Sequence, residues 1–192
     1  MLPDSREMLT QLLLFTSQTL VSFFTALLLF RFYCQLIKLN LKWIGGNIGL
    51  FVFKVTDWLV LPLKKIIPAI KNIDLSSLTA AYGVLCLYSF LKYLLITGHF
   101  SDAGIFVSTC FELISACISG VTGMIFVSAL LSWFSANEQM KNLFEVLVTP
   151  LLKPFRAFIP MIAGVDISPL AALLFLQVLN ILIQGIRVQL MV

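Results

Sequence analysis

The chain has 192 residues, of which 60% are hydrophobic and 11% charged, with 13 Lys and Arg against 9 Asp and Glu for a formal net charge of +4. Soluble domains carry about 45–50% apolar and about 25% charged residues, so this composition excludes a water-soluble globular domain. With a mean hydropathy of +1.02, the sequence reads as an integral membrane protein.

The first apolar run, Met8 to Phe30, contains no Asp, Glu, Lys or Arg. A hydrocarbon core needs about 20 apolar residues in helix, so a transmembrane helix is predicted near 10–36. Arg6 lies between Asp4 and Glu7, which leaves no net positive leader, and no small-x-small site follows; the first helix is expected to be retained. Arg31 lies close to the end of this helix. A charge at mid-membrane costs at least about 2.5–3.5 kcal/mol, so Arg31 is expected to snorkel to its nearest interface.

Gly45-Gly46-Asn47-Ile48-Gly49 follows, with neither the Lys nor the Ser/Thr of a phosphate-binding loop at the required spacing, and reads as a flexible join. Over 47–66 the polar residues Asn47, Lys54, Asp57, Lys64 and Lys65 recur near helical turns on an otherwise apolar body, which predicts an amphipathic helix. Pro62 is expected to break or kink it and Pro68 to prevent it from resuming unkinked, so the chain turns back there. Asp74 stands two residues ahead of Ser76, where a carboxylate favours the positive end of a helix dipole, and Ser76 is expected to cap the next span. An ion pair between Lys64 and Asp74 is expected across the turn.

The second span is predicted near 76–97, with Lys92 expected to snorkel outward. His99, the single histidine, falls in the short turn that follows. The third span is predicted near 106–134. Glu112 is placed at a depth comparable with Lys92, so a Glu112–Lys92 ion pair is expected. Ser115, Ser119 and Gly123 recur every four residues with Ala116 and Gly120 beside them, the pattern of a close helix–helix contact face, toward another span of this chain or a second copy. A second amphipathic helix is predicted over 138–156, with Glu138, Lys141, Asn142, Glu145, Thr149, Lys153 and Arg156 on its polar side. Pro154 and Pro160 repeat the proline-bounded turn. Asp166 again precedes Ser168, a hydroxyl N-cap ahead of Pro169 at the first helical position, and the fourth span is predicted near 169–188. Arg156 and Asp166 are expected to pair.

These parallels are literal. Residues 57–80 and 149–172 align without a gap at an offset of 92, with nine of 24 positions identical, including both prolines and the Asp-x-Ser. Such self-similarity marks a tandem duplication, with units 1–98 and 99–192. The fold expected is an all-α membrane protein of four transmembrane helices in two repeats, each a helix, an amphipathic in-plane or re-entrant helix, and a helix; the runs are too continuously apolar for membrane strands. Nine of the 13 Lys and Arg fall in the two long connections, which the positive-inside rule places in the cytoplasm, with both termini outside. Two spans per unit give parallel repeats related by an axis along the membrane normal, not the inverted repeats common among transporters.

The run Lys153-Pro154-Phe155-Arg156-Ala157-Phe158-Ile159-Pro160, with Gly164-Val165-Asp166-Ile167-Ser168-Pro169-Leu170, resembles the signature of the YggT family of small integral membrane proteins. Leu28-Leu29-Phe30-Arg31 and Leu131-Ser132-Trp133 resemble that family's other recurring piece, and the likeness covers nearly the whole chain in a two-repeat, proteobacterial arrangement. The first copy departs from the pattern, with Trp58, Asn72 and Ser77 where the second has Pro150, Gly164 and Pro169. The resemblance implies an inner-membrane protein linked to osmotic or envelope stress and cation homeostasis, with relatives tied to cell division, nucleoid distribution and haem attachment. A scaffold or assembly factor would fit all of these.

The residues themselves offer no catalytic constellation. One histidine excludes bis-histidine haem ligation within the chain, and Cys34, Cys86, Cys110 and Cys117 lie in or beside apolar runs without a C-x-x-C pair, as buried structural thiols do. No enzyme activity, cofactor, metal or nucleic-acid contact is expected. The partners expected are anionic lipid headgroups and either a membrane protein or a second copy of the chain; the alternative function is a small ion channel or transporter.

Overall fold

The computed structural model describes residues 5–39, 46–67, 75–97, 102–133, 138–159 and 166–191. Among them the chain forms six helices: α1 (Ser5–Leu36), α2 (Gly46–Ile66), α3 (Ser76–Thr97), α4 (Asp102–Trp133), α5 (Glu138–Phe158) and α6 (Ser168–Met191). Four of them contain stretches long and apolar enough to cross a membrane: Met8–Leu36, Ser76–Leu95, Gly104–Ser132 and Ser168–Leu190. Leu9, Phe15, Leu87, Phe126, Leu174 and Ile181 are among the large apolar side chains exposed along these stretches, which fits a bundle whose outer surface meets lipid.

The end of α1 is set by backbone chemistry. The Leu39 N–H donates to the Cys34 carbonyl at 2.8 Å and the Lys38 N–H to the Gln35 carbonyl at 3.0 Å, the paired bonds of a Schellman cap. Its left-handed position, usually glycine, is Lys38 with φ 55°. A side chain there costs about 1 kcal/mol, and Leu39, packed into the cluster around Cys34, Leu143 and Leu147, helps hold the turn.

The prolines do not end α2 and α5. Helix α2 runs through Pro62 to Ile66, and α5 through Pro150 and Pro154 to Phe158. Each proline deprives the carbonyl one turn back of its N–H partner. Those carbonyls belong to Trp58, Val146 and Pro150, all exposed, and the prolines themselves are exposed too. The missing bonds therefore fall on the open side of each helix, where water or headgroups satisfy them, while the buried side stays intact. Both helices finish on equivalent bonds, Ile67 N–H to the Leu63 carbonyl and Ile159 N–H to the Phe155 carbonyl, each 2.9 Å.

Two packing centres have parallel compositions. Leu28 and Leu29 of α1 pack with Val60 of α2 and Ala80 and Ala81 of α3. Ile125 of α4 packs with Val148 and Leu152 of α5 and Ala172 of α6. Val60 and Leu152, like Ala80 and Ala172, are buried at positions 92 apart. The third cluster joins the halves, with Cys34 of α1 against Leu143 and Leu147 of α5, and Phe53 of α2 beside them. Lipid tails are as apolar as leucine, so inside a bilayer such clusters stabilise through close packing, and polar ties between helices add to it.

Within the chain, the small-residue face of α4 makes a close contact only in part. Ser115 bonds Asn180 of α6, but a Cβ added at Gly120 or Gly123 would meet no atom within 4 Å. Ser119 and Gly123 instead line an open groove between α4 and α6. Ile118 and Ile125 of the same helix are buried, Ile125 against Val148, Leu152 and Ala172.

Candidate functional site

The most buried charge sits where α1, α2 and α5 meet. Arg31 is 3% exposed, so it does not snorkel. Its Nη1 donates to Asp57 Oδ1 at 2.7 Å and to Thr56 Oγ1 at 2.8 Å, and its guanidinium lies 4.6 Å above the Phe53 ring. Thr56 in turn donates to the Val52 carbonyl one helical turn back at 2.7 Å. The amphipathic helix thus supplies a carboxylate, a hydroxyl and a ring face from successive turns; the two bonds fall on Nη1, and the buried Nε has no hydrogen-bond partner among the described residues. Snorkelling loses because a bonded, stacked guanidinium gains more than one directed alone to the headgroups. Tyr33, two residues on, reaches the other way: its hydroxyl donates to the Leu147 carbonyl of α5 at 2.6 Å. One short segment of α1 therefore fastens both amphipathic helices. The sequence marked Arg31 as a misplaced charge, but its partner Asp57 read as part of a solvated polar stripe.

The end of α5 and the residues just ahead of α6 hold the second centre. Arg156 Nε donates to Asp166 Oδ2 at 2.9 Å, and Asp166 Oδ1 accepts the Ser168 backbone N–H at 2.9 Å. Burial would raise the Asp166 carboxyl, but hydrogen bonds from Ser168 and the adjacent Arg156 guanidinium outweigh it and hold the carboxyl below its usual value. The first turn of α6 closes on the Ile167 carbonyl, which accepts from Leu170 at 3.1 Å and Ala171 at 3.3 Å. This shifts the expected cap by one position. Ser168 is the first helical residue and Pro169 the second, and the side-chain acceptor that caps the helix is the carboxylate of Asp166. In α3, too, the first turn closes on the preceding residue, with the Thr79 N–H on the Leu75 carbonyl at 2.9 Å, so Ser76 lies inside the helix and is buried. Lys64 lies exposed in the last turn of α2 and Pro154 exposed in α5. Asp74 and Pro160 lie outside the described residues, and with Asp74 the expected Lys64 pair.

The third centre is between the spans. Glu112 Oε1 accepts from Arg187 Nη2 at 2.7 Å, and its Oε2 accepts from the Ser89 hydroxyl at 3.1 Å. The expected partner, Lys92, is exposed. Depth alone favoured Lys92, but α4 packs along α6 as well as α3, and Arg187 brings the forked geometry that suits a carboxylate. Ser115 donates to Asn180 Oδ1 at 3.0 Å farther along the same pair of helices. Arg187 lay near the end of a predicted span and carried no sequence signal beyond its charge.

The family model described as CCB3/YggT matches residues 10–95 and again 107–187. The chain is 34% identical over 141 residues to an uncharacterized protein in the proC 3' region of Vibrio alginolyticus, spanning 71% of this chain and 75% of that one. It is 34% identical over 134 residues to an uncharacterized protein of Haemophilus influenzae, spanning 69% and 71%. It is 29% identical over 170 residues to the uncharacterized protein YggT of Escherichia coli K12, spanning 88% and 87%. No solved structure matches the chain. The family model covers most of the sequence, including the Arg31, Asp166 and Glu112 centres, and the chain belongs to the CCB3/YggT family.

Proposed function

We propose that this chain is a non-enzymatic, multi-pass protein of the inner membrane, built as two tandem units, that serves as a scaffold or assembly factor for other membrane components under osmotic or envelope stress. The observation that carries this reading is the fastening of α2 and α5 to one segment of α1 through Arg31 and Tyr33. Two amphipathic helices held this way form a fixed platform at one end of the bundle, where a mobile connector would present no defined surface. Their exposed sides carry Lys54, Lys64, Lys65, Lys153 and Arg156, with Trp58 and Phe158 beside them, a mixture suited to anionic headgroups. The double match of the family model and the shared burial at positions 92 apart support the two-unit reading. The excess of Lys and Arg in these connections supports a cytoplasmic platform, in-plane or re-entrant, with both termini periplasmic.

Co-purification from mild detergent tests the proposal: a stable membrane partner that is lost on Asp57→Asn is expected. The alternative, a small ion channel or transporter, draws on the polar row of Glu112, Ser115, Asn180 and Arg187 between α4 and α6. Ion flux from purified protein in liposomes would replace the scaffold reading with that one. Cysteines placed near Lys71 and Asp102 test topology separately, and labelling of the Lys71 site from outside intact cells would reverse the orientation.

A further inference from the structure

We propose that α6 of one copy of this chain seats α1 of a second copy, repeating between chains the contact that α3 and α4 make within one. The proposal rests on the two-unit reading above. Inside the chain, α3 presents Tyr82 and Ser89 to α4: the Tyr82 hydroxyl donates to the Phe106 carbonyl at 3.4 Å and Ser89 to Glu112. Leu113, Ala116 and Cys117 of α4 pack into the cluster that contains Ala80 and Ala81 of α3. Helix α4 also touches α1, so it sits against both helices of the first α1–α3 pair.

The second unit carries an empty copy of that seat. At the offset of 92, Tyr82, Leu85 and Ser89 become Leu174, Gln177 and Ile181. Leu85 is buried, whereas Leu174, Gln177 and Ile181 are all exposed. The same helix face is covered in the first unit and bare in the second. Between α4 and α6, the counterparts of α1 and α3, runs the groove lined by Ser119, Gly123, Leu174 and Gln177. Gln177 places an amide midway along a span, where lipid can satisfy neither its donors nor its acceptor.

The matching face is also bare. Leu28 of α1 and Ile125 of α4 occupy corresponding places, each packed on the Val60–Ala80 or Leu152–Ala172 pair of its own unit. Aligned on them, Leu113, Ala116 and Cys117 of α4 correspond to Thr16, Thr19 and Leu20 of α1, all exposed. Among the described residues neither face is covered, and a second copy supplies the partner of each. Because the two faces differ, the contact is heterologous, and copies joined this way form a ring if the rotation between them closes and an open row if it does not.

The test is disulfide trapping between full-length chains in native membranes. Cys110 and Cys86, which both lie close to Tyr82, correspond to Leu13 and Val178. Co-expressed chains carrying Leu13→Cys and Val178→Cys separately, with different tags, should give on oxidation a mixed band at twice the chain mass that neither variant gives alone. A Val178→Cys chain linking to its own kind, a link to a different protein, or no link at all would overturn the proposal. A bifunctional maleimide reports on the α3–α4 contact in the same membranes. If it bridges Cys86 to Cys110 within a chain but no mixed band forms, only the recurrence between chains is wrong; if that bridge also fails, the α3–α4 contact that the proposal copies is itself absent.

Discussion

Asp57→Asn removes the charge opposite Arg31 while keeping the side chain's shape. The guanidinium is 3% exposed, so after the substitution it remains buried with the Thr56 hydroxyl and the Phe53 ring as its polar company. Removing one partner of a fully buried ion pair costs about 3–5 kcal/mol. Asp57 is 40% exposed, and water screens it, which brings the expected loss down to about 1–3 kcal/mol. The assay is unfolding of the full-length protein in mixed micelles by titration with SDS, followed by far-UV circular dichroism. A double-mutant cycle with Arg31→Met isolates the pair, because once the charge is gone Asp57 has nothing to neutralise. The double variant should recover most of the loss, with a coupling of about 1–3 kcal/mol. A coupling below about 0.5 kcal/mol would mean that Arg31 is solvated at the interface, and the buried centre would be refuted.

Lys38→Gly should stabilise the protein by about 1 kcal/mol in the same titration, since glycine takes the left-handed position without steric cost. Glu112→Gln should destabilise it by leaving Arg187 unpaired within the bundle, whereas Lys92→Gln should stay within about 0.5 kcal/mol of wild type; equal effects would restore the Lys92 pairing. Asp166 is held below its usual carboxylate value, so its contribution is present above the unfolded pKa of about 3.9 and is lost as pH falls through the lower folded value. Thermal midpoints between pH 6 and pH 3 should therefore fall less steeply in Asp166→Asn than in wild type.

The parts legible in the sequence were those governed by local composition. Four apolar runs gave four spans because length and hydropathy suffice to define a membrane helix. The amphipathic character of α2 and α5 followed from polar spacing. The Arg156–Asp166 pair was readable because only ten residues separate the two along the chain, which leaves few other partners in reach. The prolines misled in one respect: their effect on a helix depends on whether the carbonyl they strand faces solvent, which sequence does not record.

Composition and periodicity by themselves determined that this is a helical membrane protein, because burying a backbone in lipid allows few solutions and each must be written along the chain as apolar length. Which charge meets which was decided only by the tertiary structure. Arg31 with Asp57, Tyr33 with Leu147 and Glu112 with Arg187 join residues 26, 114 and 75 positions apart. Their pairing depends on how the helices lie against one another, and that arrangement follows from side-chain packing summed over the whole bundle, so no single segment of the sequence encodes it.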